Sequence, residues 1–103
     1  MNPAAAGPVH SQFSGDPDFR ELLQEFAAAM PVRKDGLLDA HRSGAYDLLR
    51  MRAHQLKGAG SGFGFPRLSE LALELEKACQ THNPAKIVEA LEQVVDFLNR
   101  ITV

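Results

Sequence analysis

The chain has 103 residues, 45% of them hydrophobic, and a formal net charge of −2 from 13 acidic and 11 basic side chains. That length fits one domain with its own core, and the near-neutral balance argues against a nucleic-acid partner. Cys79 is the only cysteine, which excludes an internal disulfide and a four-cysteine zinc site.

Residues 1–15 read as a disordered tail, because Pro3, Gly7 and Pro8 interrupt a run of small residues that would bury little. A domain is expected over 16–103. Asp16 suits a helix cap and Pro17 a first helical position, after which Phe19, Leu22, Leu23, Phe26 and Ala27 recur at helical spacing. Met30 closes that segment and Pro31 predicts a break. A second helix is expected from Val32 to His41 or Arg42, with Gly44 as its stop. A third runs from Ala45 to about Phe63, with Leu49, Ala53, Leu56 and Phe63 on one face.

Pro66 or Arg67 opens a fourth helix, where Leu68, Leu71, Ala72, Leu75 and Cys79 form a continuous apolar stripe. Asn83-Pro84 restarts the chain, and Ile87, Leu91, Val94, Val95, Leu98 and Ile101 form the last stripe. Period-two alternation is absent and the connections are short. The expected fold is all-α: an antiparallel, up-and-down four-helix bundle with an additional N-terminal helix.

The stretch from Arg50 to Gly64 carries the chemistry. On a helical wheel, Lys57 falls about 60° to one side of His54 and Gly58 about 40° to the other, while Leu49, Ala53 and Leu56 lie roughly opposite. His54 therefore points away from the core, with a cation at i+3 and a glycine at i+4. Gly58, Gly60, Gly62 and Gly64 follow at alternate positions. Each mid-helix glycine costs about 1 kcal/mol relative to alanine, which a purely structural helix has no reason to accept. Gly58 and Gly62 clear the surface beside the imidazole so that a macromolecule can approach, whereas Gly60 and Gly64 fit close helix packing. An ammonium beside the ring disfavours a bound metal and suits an anion that comes and goes, such as a phosphoryl group. Met51 and Phe65 lie near this run without joining a core stripe, and both are candidates for an apolar docking ring.

The run His54-Gln55-Leu56-Lys57-Gly58, with Gly64 and Leu68 at the following offsets, resembles the motif of histidine-containing phosphotransfer domains. It is also similar to the phospho-accepting domain of chemotaxis histidine kinases. The resemblance extends more loosely over Phe19 to Leu98. It implies a relay in which His54 accepts a phosphoryl group from a sensor or hybrid histidine kinase, or its receiver domain, and passes it to a response-regulator aspartate. Lys57 would be the charge partner and Gly58 the clearance residue. Members place an acidic or amide side chain from the next helix on the other ring nitrogen, and the matching offset falls on Glu76, with Gln80 one turn later. Carboxylate acceptance from Nδ1–H would leave the Nε2 lone pair free to attack phosphorus.

Such a chain is not a self-sufficient kinase. It needs no cofactor of its own, since Mg²⁺ belongs to the partner receiver. The remaining histidines, His10, His41 and His82, are too dispersed for a zinc site. No apolar run approaches the ~20 residues of a membrane span. Met1 to Gly15 lacks the pattern of a signal peptide. A cytoplasmic monomer is the expectation. The alternative is an adaptor bundle that binds a receiver or kinase without carrying phosphate, for which the His54/Lys57 pair would be superfluous. A hydrolase would need a second catalytic group beside His54 that the sequence does not offer.

Overall fold

Asp16 accepts a hydrogen bond from the backbone N–H of Asp18, and Pro17 supplies a fixed φ, so the chain turns into a 3₁₀ segment at Pro17–Phe19. Four α-helices follow: α1 (Arg20–Arg42), α2 (Tyr46–Gly62), α3 (Pro66–Thr81) and α4 (Pro84–Arg100). This computed structural model describes residues 7–102.

The additional N-terminal helix is not a separate element. Its residues are the first half of α1, which continues through Pro31 to Arg42. Pro31 removes one helical hydrogen bond, a change of about 3 kcal/mol against the helix. Its ring faces solvent, where water can reach the freed carbonyl. Leu23, Phe26, Met30, Leu37 and Ala40 keep one buried stripe in register on both sides of it. Burial of that stripe, at about 1.5–3 kcal/mol for each large side chain, outweighs the local defect.

α2 buries Leu49, Ala53, Leu56 and Gly60, and packs most extensively on α3. α3 buries Leu68, Leu71, Ala72, Leu75, Ala78 and Cys79, and packs on α4 as well. α1 packs against α2 and α4. The turn into α4 is set by Asn83, whose side chain accepts from the N–H groups of Ala85 and Lys86 at 3.1 and 3.2 Å. No described helix is long and apolar enough to cross a membrane.

Phe65 is not part of an exposed docking ring. It is 2% exposed and stacks on Phe26 with ring centroids 5.4 Å apart, while meeting Phe97 edge-on at 6.3 Å. The residue precedes Pro66, which bars a helical conformation there and turns the ring inward between α1 and α4.

The tail expected to be disordered lies outside the described residues over 1–6. Over 7–13 it packs on the bundle instead. Val9 pairs with Ile101, its N–H donating to the Arg100 carbonyl at 2.7 Å. Ser11 is buried, and its hydroxyl donates to the Phe63 carbonyl at 2.6 Å. The N–H of Gln12 donates to the carbonyl of Gly64, which turns out of α2 with φ of 82°. Phe13 stacks on Phe19 at 4.7 Å. These contacts cap the C-terminal end of the glycine-bearing helix.

Candidate functional site

The apolar face of α2 is consumed by the core, which leaves His54 on the outside with its side chain 63% exposed. α3 lies alongside. Its buried stripe places Leu75 inward, so Glu76, the next residue, projects along the α2–α3 groove, where only 12% of its side chain is exposed. Both carboxylate oxygens are used. Oε2 sits 2.8 Å from His54 Nδ1, and Oε1 accepts from the Lys57 ammonium at 2.9 Å.

This arrangement fixes the imidazole chemically. The hydrogen bond from Lys57 is the largest influence holding the Glu76 carboxyl below its ordinary range; burial opposes it and the His54 contact adds to it. Glu76 is therefore ionised at neutral pH and can only accept. The hydrogen shared with His54 must sit on Nδ1, so in the neutral ring Nε2 carries a free lone pair toward solvent. Lys57 is charge partner to Glu76 at rest. Its side chain is one-third exposed and lies one helical turn from His54.

The depressed Glu76 also makes stability depend on pH. Between its folded and unfolded pKa values the unfolded chain binds more protons, so stability rises with pH through that window. The contribution is present above the ordinary value of 4.5 and is lost as pH falls through the lower folded value. Urea unfolding across this range should show a steeper acid loss for wild type than for Glu76→Gln. Equal slopes would show that the ion pair adds nothing.

The glycines separate into two kinds. A Cβ at Gly58 or Gly62 would meet nothing within 4 Å, so both leave open surface on α2, Gly58 about one turn and Gly62 about two turns after His54. A Cβ at Gly60 would lie 2.8 Å from Ser69 Oγ, 3.0 Å from Ser69 N and 3.2 Å from the Phe65 carbonyl oxygen. Gly60 is thus a point of close approach between α2 and the start of α3. Gly60→Ala should lower stability by about 1–2 kcal/mol, as overpacking exceeds the helix-propensity gain. Gly58→Ala should raise it by about 0.5–1 kcal/mol. Urea midpoints check both, and a stabilised Gly60→Ala would contradict the close approach.

Met51 is 47% exposed and lies one turn before His54. Leu48, 36% exposed, extends the same surface one turn further, and Asp47, Arg50 and Glu76 complete a shallow groove around them. Leu48 was not singled out by sequence reasoning, although the Leu49, Ala53 and Leu56 stripe already sets its neighbour Leu49 inward and leaves Leu48 off that face. Phe65 is absent from this surface for the reason given above. Among the described residues, no group of three or more His, Cys, Asp or Glu side chains is placed to hold a metal ion.

Comparison with family models finds a match to the Hpt domain over residues 21–102, which takes in α1 from its second residue, all of α2, α3 and α4, and His54, Lys57 and Glu76. Comparison with curated proteins and with solved structures returns no match. The His-Gln-Leu-Lys-Gly run on an all-helical domain and the extent of that match lead to one assignment: the chain is a member of the Hpt domain family, the histidine phosphotransfer modules of two-component phosphorelays.

Proposed function

We propose that the chain relays a phosphoryl group through Nε2 of His54, between the phospho-aspartate of a receiver domain, or a sensor kinase, and the aspartate of a response regulator. The observation that carries this reading is the single carboxylate of Glu76, which holds His54 Nδ1 at 2.8 Å and Lys57 at 2.9 Å while the ring stays exposed.

In the forward step the Nε2 lone pair attacks phosphorus. An N–P bond forms, the acyl P–O bond of the phospho-aspartate breaks, and the aspartate leaves as a carboxylate. Nδ1 keeps its hydrogen, and the positive charge that the ring gains is balanced by ionised Glu76. The phosphoryl group brings about two negative charges to a site where the Lys57 ammonium is one turn away. Transfer onward reverses these steps on a second aspartate. Mg²⁺ and the acidic pocket reside on the receiver, and this chain contributes a nucleophile, its orientation and a docking face.

That face comprises Leu48, Met51, Gly58 and Gly62 around His54. The short turns between helices that pack on one another support an antiparallel up-and-down order, which sets α3 beside α2 and Glu76 beside His54. The domain acts as a cytoplasmic monomer, bound transiently by its receivers.

Incubation with a labelled phospho-receiver and Mg²⁺ tests the reading. Acid-labile, base-stable label should move onto this chain and then chase to a second receiver. A chain that binds receivers but never takes up label is the adaptor instead.

A further inference from the structure

The Glu76 carboxylate can serve His54 only if α3 keeps its longitudinal register on α2. One polar cluster spans the two helices between Gly60 and the site. Ser69, on α3, donates from Oγ to the Lys57 carbonyl on α2 at 2.6 Å. The same oxygen lies 2.8 Å from Ser61 Oγ on α2. Its approach requires Gly60, since a Cβ there would lie 2.8 Å from Ser69 Oγ. Lys57 is consequently tied to α3 at two points, through its carbonyl to Ser69 and through its ammonium to Glu76, seven residues and about two turns further along.

We propose that Ser69 is a positioning residue for phosphotransfer: its hydroxyl pins α3 against the Lys57 carbonyl and so sets the distance from Glu76 to His54 Nδ1. The Lys57 carbonyl needs no such bond for its own sake, being inside α2 with a helical N–H partner four residues on. Ser69 faces neither solvent alone nor the apolar core, and it touches no reacting atom. Its effect on transfer runs through Glu76. Loss of the pin lets the helices slide by a fraction of a rise per residue, enough to lengthen a hydrogen bond from 2.8 Å past useful range. A full 1 Å misplacement can cost about 100-fold, and partial slippage should cost about 5-fold.

This inference rests on His54 as the acceptor, so its test includes a readout that does not need phosphate. In Ser69→Ala, the ¹⁵N chemical shifts of the His54 ring should move away from the Nδ1–H tautomer, toward those of Glu76→Ala. The kcat for transfer should fall about 5-fold with KM for the receiver unchanged. In the Ser69→Ala/Glu76→Ala double variant the loss should not exceed that of Glu76→Ala alone. Ser69→Thr, which keeps the hydroxyl, should retain wild-type ring shifts. Wild-type shifts in folded Ser69→Ala, or additive losses in the double variant, would overturn the proposal even if transfer itself is established. Shifted tautomers in a chain that never accepts phosphate would overturn the relay and leave the pin standing.

Discussion

His54→Gln should leave no phosphoryl label on the chain under conditions where the wild type is labelled within the assay time. Glutamine approximates the reach of imidazole but has no ring lone pair basic enough to attack phosphorus, so the N–P bond cannot form. The loss is not a folding defect. The His54 side chain is 63% exposed, and its one polar contact is with a carboxylate that Lys57 still holds. Surface substitutions of this kind change stability by about 0.5 kcal/mol or less, so the variant should unfold at nearly the same urea concentration. A normally folded His54→Gln that still takes up label would move the acceptor elsewhere.

Glu76→Ala should be the next most damaging change, slowing transfer by about 10- to 100-fold, by analogy with loss of the partner that orients a metal-ligating histidine. Two effects combine. The neutral ring becomes free to carry its hydrogen on Nε2, which blocks the attacking position in part of the population. The positive charge that develops on the ring also loses its counter-charge. Lys57, released from its 2.9 Å bond, is then free to approach the phosphoryl group, and that gain partly offsets the loss. Glu76→Gln, which keeps an acceptor oxygen for Nδ1–H, should fall between alanine and wild type. Equal transfer by all three proteins would mean that Glu76 orients nothing.

Much of this site was legible in the residues because its parts obey helix geometry. The Leu49, Ala53 and Leu56 stripe fixes which face of α2 is inward, and His54 follows as outward. Local spacing says less where long-range contacts decide. Pro31 is a breaker by its own chemistry, and only the shared burial of Leu23 to Ala40 on both sides carries the helix through it. Phe65 lies outside every periodic stripe, so its insertion between Phe26 and Phe97 has no sequence signal. Residues 7–13 look like tail by composition, yet their backbone N–H groups and the Ser11 hydroxyl bond to Gly64, Arg100 and Phe63, partners remote in the chain. The Ser69 contact with the Lys57 carbonyl is invisible for the same reason, since neither a serine on a helix nor a backbone oxygen stands out until α2 and α3 are docked.

The chemistry turns on one atom, Nε2 of His54. Phosphorylating uniformly ¹⁵N-labelled protein from a phospho-receiver and reading phosphorus–nitrogen coupling by NMR locates the phosphoryl group within the ring. The predicted result is phosphate on Nε2 of His54, with Nδ1 still protonated and bonded to Glu76. Phosphate on Nδ1, or on any residue other than His54, would contradict it.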